Sequence, residues 1–438
     1  MAGVAAAKSL GEKGCSNALI LEGSNRIGGR LKSFNMSGYT VELGAQWIYG
    51  LGSNPMVALA NEYGLAIAPY ASSAVVRDKF GNDVTEEAFK EWYRLRSVMK
   101  KAKEFGRKLQ RDHKPDITYE ALLRKFGWNP VDIAAEAMES YELDIINGKE
   151  TPSVSGKYSD TLRAFEEHNS YVWMIASDPR GYSYIIEEMV RGFRNGQSIS
   201  FNKTVTSIIN WDDENAPVKV FTEDGSIYEA DDVIITVSLG VLQSRKISFN
   251  PPLSENKMMA IDKFGFGQNT LVYLKFPTAF WDNVSAIVYA SERRGKYNTW
   301  FNMNYVYPGC NILQVNANGF EGEAVERMTD AETVEELMGI FRSMYPDANI
   351  SQPESIVKSD WLTDPLTMGS YCYWTPAFRP EDMDSLGMSE GNLHFAGECI
   401  SQTNYGFVHS AYTSGIHAAM DLAESVNLEE MFDKDKKK

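Results

Sequence analysis

Residues suited to a phosphate-bearing cofactor gather near the amino end of this 438-residue chain. Gly3 and Glu22 lie nineteen positions apart, separated by a small-residue stretch with Val4, Ala5, Ala6, Ala7 and Leu10, then by the apolar run "NALILE". That order reads as helix, turn and buried parallel strand, the strand ending on an acid. In a dinucleotide-binding βαβ unit the helix amino terminus receives a pyrophosphate, and an acid about 20 residues after the fingerprint glycines holds a ribose hydroxyl. Gly3 fits the third glycine and Glu22 the acid, so the sequence predicts that the first strand and its two glycines are absent. "RIGGR" follows directly at 26–30. Gly28 and Gly29 let a backbone approach a ligand with no side chain between, and Arg30 can grip a phosphate in a bidentate fork. "VELGAQW" at 41–47 succeeds a short strand-like stretch.

The rest of the chain must position these groups. Forty-three basic residues against 59 acidic ones give a net charge of -16. This excludes a nucleic-acid partner, which needs a basic face, and favours a cationic ligand. The four cysteines form no CxxC pair and predict neither a zinc site nor a disulfide framework; five scattered histidines give no ligand spacing. No metal is expected. No run reaches the ~18 apolar residues of a membrane span. A soluble protein is expected, with the cytoplasm favoured as its compartment and secretion and peroxisome left open. Residues 84–112 have helical spacing, "NTLVYLKF" and "SAIVYAS" alternate like half-buried strands, and 329–345 opens on a polar cap before an amphipathic helix. The end, 426–438, reads as a charged tail.

Three stretches then carry a resemblance: "ILEGSNRIGGR", "VELGAQW" and "HFAGECISQTNYGFVHSAYTSGIHAA". With "DDVIITVSLGVLQ", "SFNPPLSENKMMAI" and "LKFPTAFW" between them, the chain resembles the FAD-dependent amine oxidases end to end, most of all the plant-type polyamine oxidases. The resemblance implies an α/β and α+β architecture. A Rossmann-like FAD domain is assembled from 1–70, 190–245 and 355–425, and a substrate domain of mixed sheet and helix from 71–189 and 246–354. It implies FAD as cofactor, a small cationic amine as substrate, dioxygen as acceptor, and a monomer or weak homodimer. The cofactor positions carry over as Gly3, Glu22, Gly29, Arg30, the loop Gly44, Ala45 and Gln46, Val205 at the adenine, Trp361 near the flavin, Glu398 and Val408.

Against the family's plan, the substrate end departs. Leu271 stands where the resemblance expects a lysine near the flavin, and Lys275 lies four strand residues, ~13 Å, further along. Tyr49 replaces an acid, and the aromatic facing the flavin aligns with Asn404, followed by Tyr405. Tyr371 keeps the other aromatic wall, and Glu142 matches a second substrate acid. Three readings stay open: an amine oxidase with Tyr371 and Tyr405 as its cage, a flavoenzyme for another amine or amino acid with slow oxygen reaction, or an inactive binding or scaffold protein.

Overall fold

The computed structural model describes residues 1–15, 17–70, 73–158, 173–194, 196–402 and 404–436, with side chains to 424. Residues 159–172 of the expected substrate domain and the side chains of the charged tail lie outside that description.

The chain opens on a helix, Ala2–Glu12, whose small residues Ala2, Ala5, Ala6 and Ala7 are buried. Small side chains let neighbours come close. A Cβ on Gly415 of the helix Val408–Lys436 would stand 2.3 Å from the Ala2 carbonyl oxygen, and one on Gly3 would stand 3.2 Å from Thr236 Oγ1. Two parallel ladders flank this helix. Ala18–Leu21 pairs with Gln197–Ser200, and Val233–Ile235 pairs with Leu393–Phe395. Ala6 and Leu10 pack with Ala18 and Ile234, one residue from each ladder. The run "NALILE" thus forms the expected parallel strand, but it is not buried. Leu19 is 45% exposed, because among the described residues the strand has a partner on one edge only.

The larger sheet has six strands, in the order Ser355–Lys358, Asn269–Lys275, Ile312–Asn318, Thr299–Asn302, Ala286–Ala290 and Ala74–Asp78. Asn269–Lys275 and Ala286–Ala290 are covered on both faces, which corrects the half-buried reading. On one face Val272 and Leu274 meet Leu337 and Phe341. On the other, Leu271 and Tyr273 meet Met36, Val41, Leu43 and Trp361. Each such side chain removed from water contributes ~1.5–3 kcal/mol, so the apparent alternation loses to packing from both sides.

Two long helices carry favourable charges or caps at their ends. Thr85–Arg111 carries Glu86 and Glu87 in its first turn and Lys108 and Arg111 in its last, complementing the helix dipole. In Asp330–Met344 the Thr329 hydroxyl accepts from Glu332 N, and the Glu332 carboxylate accepts from Thr329 N at 2.7 Å. One expectation about the cysteines fails. Cys372 and Cys399, 27 positions apart, are joined as a disulfide, brought together by the strand Tyr371–Tyr373 and the turn after Leu393–Phe395.

Candidate functional site

The turn at 26–31 sets the first wall. Gly28 has φ of 109°, and a Cβ there would lie 2.5 Å from the Leu31 carbonyl oxygen. Only glycine fits. Arg26 Nη2 closes the turn on Gly29 O at 2.7 Å and leaves Arg30 to cross the cleft. Arg30 Nη1 donates to Glu398 Oε1 and to Ser370 O, both at 2.7 Å, with its guanidinium 5.3 Å from the Phe266 ring centre. Glu398 Oε2 accepts from Gly406 N at 2.8 Å. A slot beside this pair is lined by Val237, Leu239, Phe395, Gly397 and Ile400.

The Gly44–Gln46 loop packs against the same turn. Ala45 N donates to Arg30 O at 3.1 Å, and a Cβ on Gly44 would stand 1.9 Å from that oxygen and 3.0 Å from Trp361 Cζ2. Trp361 Nε1 donates to Leu43 O at 2.7 Å, and the Tyr273 hydroxyl bonds Glu42 O and Gln46 Oε1. Arg30, Gly44, Ala45, Gln46, Trp361 and Glu398 therefore converge. Gly3 sits in the first turn of its helix, and Glu22 directly follows the strand Ala18–Leu21 with Oε1 accepting from Ser24 N and Oγ. Val205 opens a strand opposite Thr222, while Val408 and Ala45 pack on one core cluster. A cation, a carboxylate, a glycine-lined backbone and an apolar slot suit the phosphates, hydroxyls and ring of a flavin dinucleotide. The residues fit the group.

At the other end Tyr371 pairs with Gly267, and its hydroxyl donates to Ile145 O. Burial, then the neighbouring Tyr49, holds its phenol well above the ordinary range. Tyr49 meets Phe407 edge-on at 4.9 Å and Trp173 at 5.5 Å. Phe407 stacks on His409 at 5.0 Å, and burial lowers the His409 pKa to about 4, leaving it neutral. The wall is aromatic and carries no charge at neutral pH.

The remaining predicted residues fall as follows. Tyr405 is 2% exposed and packs with Phe264 and Trp374 in the core, while Phe407, two residues on, lies beside Tyr49. Sequence reasoning missed Phe407 and Trp173; the available signal was Gly406, whose φ of 83° turns the chain between the two aromatics. Asn404 is half-buried, its N–H donating to Ser401 Oγ. Glu142 Oε2 accepts from Trp92 Nε1 at 2.7 Å, with Arg96 3.9 Å away, and burial raises its pKa. Leu271 is 3% exposed, its N–H donating to Ser359 Oγ, and Lys275 pairs outward with Glu354.

Parallel ladders flanking the opening helix, with the glycine turn and the Arg30–Glu398 pair, fit a class: a protein built on a dinucleotide cofactor. The chain belongs to the flavin-containing amine oxidoreductases, whose family profile matches residues 1–423. Polyamine oxidase 1 of Zea mays is 30% identical over 452 residues, covering 96% of this chain and 88% of that protein. Polyamine oxidase 6 of Oryza sativa subsp. japonica is 29% identical over 445 residues with the same coverage. A solved putrescine oxidase, redesigned in its cofactor binding, superposes with a TM-score of 0.77 at 19% identity, over 95% of this chain and 96% of that one. The cofactor is FAD. Among the described residues no helix is long and apolar enough to cross a membrane.

Proposed function

We propose that the protein oxidises a polyamine of the spermine and spermidine class, with dioxygen as acceptor, giving hydrogen peroxide, an aldehyde and an amine. The observation that carries this reading is the uncharged wall of Tyr49, Trp173, Tyr371 and Phe407. Ring faces attract an ammonium by ~0.5–2 kcal/mol without locking it into an ion pair, so the reacting nitrogen can still lose its proton. The net charge of -16 draws the cation in. Arg30 and Glu398 hold the polar part of FAD, Glu22 its ribose, and the braced Gly44–Gln46 loop its ring. When bound, FAD supplies the two-electron oxidation. Tyr371 keeps its proton and so orients the amine rather than deprotonating it.

A second reading is favoured by one residue. Leu271 is apolar and buried beside Trp361, so this strand offers no ammonium at the position where the resemblance expects one. That supports an acceptor other than dioxygen, or another amine as substrate. The deciding experiment is an anaerobic titration of the flavin with spermine and spermidine, followed by air. Bleaching by a polyamine and rapid return in air support the first reading. Bleaching with slow return supports the second, and bound flavin that no polyamine reduces refutes the polyamine assignment.

A further inference from the structure

Cys372 and Cys399 occupy a place that the proposed reaction does not use. Cys372 is the middle residue of the strand Tyr371–Tyr373, adjacent to the aromatic wall and opposite Phe266, whose ring faces Arg30. Cys399 directly follows Glu398. Their Cα atoms stand 5.7 Å apart, within the span of a disulfide, and they are 1% and 6% exposed. Each sulfur also lies within thiol hydrogen-bond reach of Glu398 Oε1, at 3.1 and 3.0 Å, the same oxygen that takes the Arg30 guanidinium. As thiols the two cysteines donate to that oxygen. As a disulfide they have no proton to give. The oxidation state of the pair therefore decides whether Glu398 divides its acceptor capacity between Arg30 and sulfur.

We propose that Cys372 and Cys399 are a reversible thiol–disulfide switch, oxidised by hydrogen peroxide, that sets how firmly Glu398 and Arg30 hold FAD. One thiolate attacks a peroxide oxygen, the O–O bond breaks, and a sulfenic acid and hydroxide form. The second sulfur then displaces the sulfenic oxygen, the S–S bond forms, and both thiol protons end in water. Two thiols and one peroxide become one disulfide and two waters. Each sulfur gives up one electron. The bridge ties the strand bearing Tyr371 to the turn bearing Glu398, so the oxidised form holds the two walls preorganised. For its physiological oxidant this inference rests on the proposed oxidase reaction, which supplies the peroxide.

The test uses the purified FAD-loaded protein, reduced with dithiothreitol, desalted and treated with added hydrogen peroxide. Alkylation and peptide mapping follow, with exposed Cys15 and buried Cys310 as internal controls. The expected result is a linked peptide pair containing residues 372 and 399 after peroxide, reversed by dithiothreitol. Flavin release, followed by fluorescence, is expected to run about fivefold faster from the dithiol form, as loss of preorganisation predicts. In Cys372→Ser that redox dependence disappears. Separate alkylation of both cysteines after peroxide, or equal release rates from the two forms of the native protein, overturns the proposal. Added peroxide keeps the two questions apart: a flavin that polyamines fail to bleach removes the oxidase reading without touching the linkage result.

Discussion

Glu42 is buried just before the Gly44–Gln46 loop, and its replacement by glutamine gives a measurable consequence. The carboxylate is 5% exposed, accepts from Tyr182 N at 2.7 Å and from Ser33 Oγ at 2.8 Å, and faces no cation among its contacts. Burial raises its pKa from 4.5 to about 7, and the two hydrogen bonds only partly oppose this. A raised carboxyl binds its proton more tightly folded than unfolded. Its contribution to stability is therefore fully present below about pH 4.5 and declines as pH rises through about 7. At about 1.4 kcal/mol per pH unit the loss amounts to about 3 kcal/mol at pH 8. Glu42→Gln keeps an acceptor for Tyr182 N and turns the Ser33 contact round, the amide donating to the hydroxyl. The variant should match the native protein at about pH 5 and exceed it by about 1–3 kcal/mol at about pH 8. Urea unfolding across that range, with FAD present throughout, gives both curves. Asp144, which burial raises to about 7, titrates equally in both proteins and cancels in the difference. Parallel curves, or a variant less stable at pH 8, refute the reasoning.

Three further substitutions probe the site and its supports. Gly44→Ala forces a Cβ to 1.9 Å from Arg30 O, so the loop must move; FAD retention on a sizing column should fall sharply while far-ultraviolet circular dichroism is kept. Phe407→Ala removes one ring face from the wall and should raise KM for a polyamine roughly 2–30-fold, the equivalent of one cation–π contact, with less effect on kcat. Arg294→Met strips the cation from Asp144 at 2.7 Å and one of two from Glu139 at 3.1 Å, which keeps Arg124 at 3.3 Å; both carboxylates are buried. Breaking such a pair costs about 3–5 kcal/mol, read as a lowered urea midpoint that acid partly restores as the carboxyls protonate.

What the sequence revealed depended on whether neighbours in the chain or neighbours in space decide the matter. The residues proposed to hold FAD sit in contiguous motifs, so Arg30, Gly44 and Glu398 could be picked out before any fold was known, and the fold brings them together. The helix beginning at Asp330 was legible because its cap is local. Tyr405 and Phe407 were not separable by eye, since one backbone angle at Gly406 sends one into the core and the other to Tyr49. The double burial of Asn269–Lys275 depends on a hairpin more than 200 residues away, as its Tyr273 bond to Glu42 shows. The cysteine pair was missed for the same reason: nothing in the spacing of residues 372 and 399 says that a strand and a turn will place them side by side.

The Tyr273 hydroxyl and the Trp361 indole have a consequence for access. Both leave the large sheet and its flanking loop to seize backbone carbonyls at Glu42 and Leu43, in the segment that leads to the Gly44–Gln46 loop. These bonds fasten the six-stranded sheet and the loop after it to the segment Glu42–Leu43. Drawing the sheet away from that segment would tear out both at once, along with the packing of Leu271 and Tyr273 on Val41 and Leu43. Under the proposed amine oxidation, turnover should therefore respond to the bulk of the rings around Tyr49 rather than to a parting of sheet and segment.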